Sequence, residues 1–284
     1  MTHLSCPAPA KLNLFLHITG RRADGYHTLQ TMFRFIDLHD TLNFTLREDG
    51  VVCRTNTVEG VEEESDLCVR AARLLQNETG CKLGVEIAVE KSIPMGGGLG
   101  GGSSDAATTL IALNRLWSLD LERERLMRIG LKLGADVPVF LFGESAFAEG
   151  VGEKLRAFPL QDAWYVVLFP PVQVSTTQIF AHPELTRDSV SITMRALFER
   201  QLTEGQFHND LQAVVCDLYP EVAQHIAWLS GFGKAMMTGS GSCVFAEFSS
   251  RSQAEAVLQQ LPQHMNGVLA EGLAVHPLHD WVCD

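Results

Sequence analysis

PMGGGLGGGSSDAATTL, residues 94–110, puts six glycines into the seven positions 96–102 and then turns into a helical pattern. Glycine tolerates positive φ and lets backbone N–H groups come close to a ligand. The helix that follows adds unpaired amides and a partial positive charge at its N-terminus. Together they make an anion cradle. Ser103 or Ser104 is placed to cap this helix, and Ala106, Leu110, Leu113 and Trp117 form one apolar stripe along it. Two nucleotide motifs fail on the details. A Walker A loop needs a Gly-Lys-Ser/Thr ending, and no lysine follows these glycines. A dinucleotide-binding βαβ unit needs a second parallel strand after the helix, whereas SLDLERERLMRIGLKLG (118–134) reads as another helix. A mere linker would need neither Pro94 before the glycines nor serines after them.

Upstream, VEIAVEK (85–91) reads as a strand, and DLCVRAARLLQ (66–76) has Leu67, Ala71, Leu74 and Leu75 at helical spacing behind Asp66 as N-cap. The first 60 residues read as short strands, KLNLFLHI (11–18), TMFRFIDL (31–38) and TLNFTLRE (41–48), separated by turn signals. Downstream, a helix over roughly Leu121 to Leu133 is closed by Gly134. Composition shifts beyond about residue 155. WYVVLF (164–169) reads as a buried strand, and SVSITMRALFERQL (189–202) and DLYPEVAQHIAWLS (217–230) as helices. KAMMTGSGSCVFAEF (234–248) reads as strand, glycine turn and strand, and SQAEAVLQQL (252–261) as a helix. This order predicts a β-rich first lobe and a second lobe of α+β type.

At 284 residues, with 46% apolar residues, the chain suits a compact two-lobed unit. Its net charge of −12 disfavours a nucleic-acid footprint, which needs a basic face. Seven scattered cysteines without a CxxC pair indicate neither a disulfide framework nor a zinc site, and a reducing cytoplasm fits them. The N-terminus lacks a signal-peptide pattern. The uncharged run from Ala163 to Pro183 is interrupted by Pro170, Pro171 and a polar stretch, so no membrane span is expected. HPLH (276–279) pairs two histidines with no third ligand in view.

Phosphate chemistry would need charged groups beside the cradle. Asp136 lies in LGADVPVF just after Gly134 and two residues before Pro138, where a carboxylate can cap the next helix or act on a ligand; spacing leaves both open. Period two places Lys11, Asn13 and Phe15 on one strand face. RRADGYHTLQ (21–30) holds a turn signal followed by Tyr26 and His27, and Thr238-Gly239-Ser240 opens a glycine turn between apolar strands.

Three segments resemble, in the correct order, the motifs of the GHMP kinase superfamily: PAPAKLNLFLHITGRRADGYHTLQTMF (7–33), the glycine loop, and MMTGSGSCVFAEF (236–248). The resemblance spans nearly the whole chain and is strongest to the branch whose acceptor is a cytidine diphosphate conjugate of methylerythritol. It implies an α+β two-lobed GHMP kinase fold, with a ribosomal protein S5 domain 2-like N-terminal lobe containing a left-handed βαβ element (1–153) and a ferredoxin-like C-terminal lobe (154–284). It implies ATP as phosphoryl donor, with Mg2+ arriving as the ATP complex and no protein metal ligand assigned. The donor would be held by Lys91, Pro94, Met95, Gly96, Gly97, Gly98, Leu99, Gly100, Gly101, Gly102, Ser103 and Ser104, its adenine near Asp66, Lys91 and Met95. The family pattern often has asparagine where this chain has Asp66. Asp136 would be the base toward the acceptor hydroxyl, with Lys11 beside it. Asn13, Phe33, Thr238, Gly239 and Ser240 would meet the acceptor, whose cytosine would stack between Tyr26 and Phe180 and bond His27. The expected protein is a cytoplasmic monomer or homodimer with a small-molecule substrate, no nucleic-acid partner and no membrane contact. A relative acting on homoserine or mevalonate would not need the aromatic pair, and a non-catalytic relative would not need Lys11 and Asp136.

Overall fold

A computed structural model describes residues 2–199 and 207–284. Strands β1 (His3–Arg21) and β2 (His27–Arg47) form a long antiparallel ribbon running from His3 opposite Thr45 to Arg21 opposite His27. The segments read as two strands at 31–38 and 41–48 are thus one. No Gly or Pro separates them, and a register shift opposite Pro9 and Ala10 bends the strand without ending it. Strand β4 (Gly84–Glu90) pairs with the second half of β2, and β3 (Val52–Arg54) runs parallel to β4. The crossover between β3 and β4 carries helix α1 (Leu67–Thr79), where Asp66 is the N-cap, accepting from Cys68 N at 2.7 Å.

Helix α2 (Gly101–Leu116) is buried on nearly every side from Ser104 to Asn114, not along one stripe. It lies between the sheet and its neighbours α1, α3 (Arg123–Leu131) and α4 (Val137–Phe142), in a core with Leu42, Phe44, Ile87 and Leu75. Two of its buried polar side chains are satisfied locally. Thr109 bonds Asp105 O at 2.8 Å, and Asn114 bonds both N and O of Leu121 at 2.9 and 3.0 Å. Helix α3 ends at Leu131 with Lys132 as C-cap, two residues before the expected stop.

Strands β5 (Ala146–Glu149) and β6 (Lys154–Ala157) form a hairpin on β2. The second lobe has β7 (Trp164–Leu168), β8 (Ala235–Met237), β9 (Val244–Phe248) and β10 (Gly267–Leu273). Strand β10 pairs with β7 over five residues and, through Gly272 and Leu273, with Ile36 and Phe35 of β2. The two lobes therefore share one sheet path, β3-β4-β2-β10-β7-β9-β8.

The lobe's helices include α5 (Thr176–Ala181), α6 (Met194–Phe198), α7 (Gln212–Leu218), α8 (Pro220–Leu229) and α9 (Arg251–Leu258). The helix expected over 189–202 is α6 alone, and its last three residues lie outside the described residues. The helix expected over 217–230 begins at Pro220. Proline has no N–H to continue α7 and excludes Tyr219 from helical dihedrals, here φ −131 and ψ 86. Val215, Val222, Leu229 and Val257 pack these helices onto Val166, Leu168 and Met237 of the sheet. No helix among the described residues is long and apolar enough to cross a membrane.

Candidate active site

The glycine loop leaves β4 and is knitted to both other motifs by close backbone packing. At Gly98 a Cβ would lie 2.2 Å from the carbonyl oxygen of Thr238, and at Gly100 it would lie 2.9 Å from the Phe140 ring and 3.1 Å from Lys11 Cε. Both positions have positive φ. Cys243 N donates to Gly97 O at 3.0 Å and Lys11 N to Leu99 O at 2.9 Å. Glycine is thus required by contact as well as by dihedral angle.

Helix α2 begins at Gly101 with Gly100 as N-cap and no side-chain cap, which corrects the expectation that Ser103 or Ser104 caps it. The first intrahelical bond from this turn is Ser104 N to Gly100 O, so the amides of Gly101, Gly102 and Ser103 have no intrahelical acceptor and can receive an anion. The Ser104 hydroxyl is fully buried and donates to Pro9 O at 2.7 Å, whereas Ser103 faces the cleft.

A cleft of about 880 Å³ runs along the loop between the lobes. It is lined by every residue assigned to donor or acceptor except Asp66, Ser104 and Thr238. Thr238 stands behind the lining, its hydroxyl accepting from Asn13 N at 2.9 Å. Near the middle, the buried Lys11 ammonium donates to Asn13 Oδ1 at 2.5 Å and Gly98 O at 3.0 Å and stands 3.5 Å from Asp136 Oδ2. It also lies 5.4 Å from the centre of the Phe33 ring. Asp136 is the N-cap residue of α4 yet its side chain makes no cap bond, so the carboxylate, 41% exposed, is available to a ligand. Asn13 Nδ2 in turn donates to Thr31 Oγ1, which donates to Phe15 O, at 2.9 and 2.5 Å. This chain of bonds holds a buried charge in one position.

At one end of the cleft Tyr26 is 66% exposed on the tip between β1 and β2, while His27 is buried with its ring centre 5.2 Å from that of Phe180 on α5. Burial, with Arg187 and Arg21 nearby, holds His27 below its ordinary pKa. Gly239 and Ser240 line the cleft, Ser240 Oγ being 2.7 Å from Thr176 Oγ1.

At the other end Lys91, Met95 and Asp66 border an adjoining pocket of about 380 Å³. Lys91 is held by Asp40 Oδ2 at 2.5 Å and Asp105 Oδ2 at 2.7 Å. Burial works to lower the Lys91 pKa and is outweighed by Asp105 and Asp40, which raise it; burial and Asp40 push Asp105 upward. Both carboxylate oxygens of Asp66 are engaged, by Cys68 N at 2.7 Å and Arg54 Nη1 at 2.6 Å.

Two residues that sequence reasoning missed position this site. Asp40 Oδ1 accepts from Ser92 N and Ile93 N at 2.6 and 2.8 Å, fixing the chain where it enters the glycine loop. Asn209 Nδ2 donates to Met237 O at 2.9 Å and Gly239 O at 2.8 Å, fixing the third motif. Neither carries a local signature, since each acts through a distant segment. Among the described residues no group of three or more His, Cys, Asp or Glu is placed to hold a metal ion.

Comparison with known proteins gives the site its context. Residues 66–144 match the GHMP kinases N terminal domain and residues 193–267 match GHMP kinases C terminal. The 4-diphosphocytidyl-2-C-methyl-D-erythritol kinases of Nitrosospira multiformis and Thiobacillus denitrificans are each 57% identical, over 98% and 97% of this chain and 94% and 98% of theirs. A crystal structure of 4-(cytidine 5'-diphospho)-2C-methyl-D-erythritol kinase, 33% identical, superimposes with a TM-score of 0.80 over 95% of this chain and 99% of that one. The homoserine kinase of Cytophaga hutchinsonii, 15% identical with a TM-score of 0.71 over 97% of this chain and 96% of that one, shares the fold. The chain belongs to the 4-diphosphocytidyl-2-C-methyl-D-erythritol kinases of the GHMP kinase family.

Proposed function

We propose that this ATP-dependent kinase moves the γ-phosphoryl group of ATP to the 2-hydroxyl of 4-diphosphocytidyl-2-C-methyl-D-erythritol, giving the 2-phosphate and ADP in the methylerythritol phosphate route to isoprenoid precursors. The observation that carries the reading is the Lys11–Asp136 pair, 3.5 Å apart and tied through Gly98 O to the glycine loop. Phosphoryl transfer asks a protein chiefly for positioning and charge stabilisation. The amides of 101–103 and the loop glycines hold the triphosphate, and Lys91, Pro94 and Met95 lead to the adenine pocket. Asp136 accepts the proton of the acceptor hydroxyl while Lys11 holds that oxygen in place beside it, the ammonium being fixed by Asn13 and Gly98. Thr238 acts from behind by orienting Asn13, and Gly239 and Ser240 face the phosphates. Tyr26 and Phe180 take the cytosine ring between them, with His27 on its edge, in a contact worth about 1–3 kcal/mol per stacked base.

Ser103, which lines the cleft, would be the residue to offer a hydroxyl to Mg2+ brought as the ATP complex, and the ion would supply neutralisation of phosphate charge. We read residues 1–153 and 154–284 as the ATP-binding and substrate units of a cytoplasmic monomer or homodimer that works without nucleic acid. ADP release measured with the cytidine diphosphate conjugate, homoserine and mevalonate tests the reading. Turnover is expected with the conjugate, and comparable turnover with homoserine would refute it.

A further inference from the structure

A residue outside those assigned to the site stands against His27. Arg187, in the loop after α5, donates from Nε to His27 Nε2 at 3.2 Å. Its other nitrogens are held by carbonyls of α5 and of this loop, Nη1 by Leu185 O at 2.9 Å and Nη2 by His182 O at 2.7 Å and Phe180 O at 3.2 Å. A guanidinium offers only donors and stays charged, so the ring nitrogen that faces it must accept. Nδ1 is then the nitrogen left for a ligand, and no residue among those described bonds to it.

We infer that Arg187 fixes His27 as the neutral tautomer with its proton on Nδ1, making the imidazole a donor toward the base so that the enzyme accepts cytosine and rejects uracil. The inference rests on the reading that the cytidine end of the acceptor occupies the corner of Tyr26, His27 and Phe180. N3 of cytosine is an acceptor and meets Nδ1–H as a partner. N3 of uracil carries a hydrogen, and two donors would face each other in a buried corner, where unpaired polar groups discriminate strongly. The low pKa of His27, set by its burial and by Arg187 and Arg21, acts in the same direction by keeping the ring neutral. Arg187 also holds the carbonyl of Phe180, so one side chain sets both the stacking ring and the reading edge.

The test begins with long-range 1H–15N spectra of His27 in the wild-type enzyme at neutral pH, assigned by loss of its signals in His27→Gln. A proton on Nδ1 with Nε2 bare is expected; a proton on Nε2, or on both nitrogens, overturns the inference whether or not Arg187→Met folds. Arg187→Met, which keeps the aliphatic stem and removes the donors, is then compared with wild type on cytidine and uridine diphosphate conjugates of the same alcohol. The expected result is a mixed tautomer, a KM for the cytidine conjugate raised about tenfold and a cytidine-over-uridine preference lowered about tenfold, with KM for ATP and kcat within about twofold. An unchanged tautomer and preference in Arg187→Met, when His27→Gln does raise that KM, overturns the role of Arg187 alone. An unchanged KM in His27→Gln overturns the reading of the corner itself, and the inference with it.

Discussion

Substituting Gly98 by alanine perturbs the point where the phosphate loop meets the third motif. The new Cβ would lie 2.2 Å from Thr238 O, and real Cβ atoms come no nearer than 3.0 Å, so the two segments must part by about 0.8 Å. A side chain at φ +77 adds about 1–2 kcal/mol and the overpacking about 1–3 kcal/mol. The sum, about 2–5 kcal/mol, leaves a domain of ordinary stability folded but lowers Tm by about 5–15 °C. Turnover suffers more. Gly98 O is an anchor of the Lys11 ammonium at 3.0 Å, and displacing it misaligns Lys11 and Asp136 against the phosphoryl group. A misplacement near 1 Å is worth about 10²-fold, so kcat/KM measured by coupled ADP release should fall about that much in Gly98→Ala. Gly233→Ala is the control. Its Cβ would come nearest the edge of the Phe248 ring at 3.5 Å, an ordinary contact outside the cleft, and turnover should stay within about threefold. Wild-type turnover in Gly98→Ala, or equal losses in both variants, would refute the reasoning.

Asp136→Asn should reduce kcat by about 10²- to 10⁴-fold with ATP affinity and Tm near wild type, because the carboxylate caps nothing; calorimetric titration with ATP and kinetics check both, and retained turnover would count against a base at this position. Tyr26→Ala should raise KM for the cytidine conjugate about tenfold and spare KM for ATP, and equal loss for both ligands would argue against a base-stacking role for an otherwise solvent-exposed ring. His276 is buried against Phe35, and burial, with His279 and Arg123, holds its pKa down at about 3 against 6.5. The folded chain therefore binds fewer protons than the unfolded chain between those values, so its contribution is complete above about pH 6.5 and is lost as pH falls toward 3. At pH 5.5 the loss is about 1.4 kcal/mol, which should lower the urea midpoint relative to pH 7.5 in the wild type and not in His276→Leu; an equal drop in the variant would assign the acid sensitivity elsewhere.

The glycine loop was legible because its physical requirement is local: backbone amides at a helix start need residues without Cβ, and the packing of Gly98 and Gly100 shows why. Lys11 and Asp136, 125 positions apart, came together only through the motif resemblance, since strand alternation could place Lys11 and Asn13 on one face but could not say what faced them. Neither Ser103 nor Ser104 is the cap because a glycine in left-handed conformation can end the loop just as well, and Gly100 does so three residues before Ser103 and four before Ser104. Strand β10 escaped notice because GVLAEGL has little β-branched character, and its place between β2 and β7 comes from the lobes' packing. Asp40, Asn209 and Arg187 were invisible for a related reason: each satisfies backbone groups or a ring nitrogen far away in the chain, and only the assembled fold gives them partners.

A crystal structure with a nonhydrolysable ATP analogue and the cytidine conjugate tests the central claim most directly. The account predicts the triphosphate on the amides of the glycine loop, with the γ-phosphate and the 2-hydroxyl both beside Asp136 and the cytosine between Tyr26 and Phe180. A triphosphate lodged away from the loop, or a hydroxyl out of reach of Asp136, would contradict it.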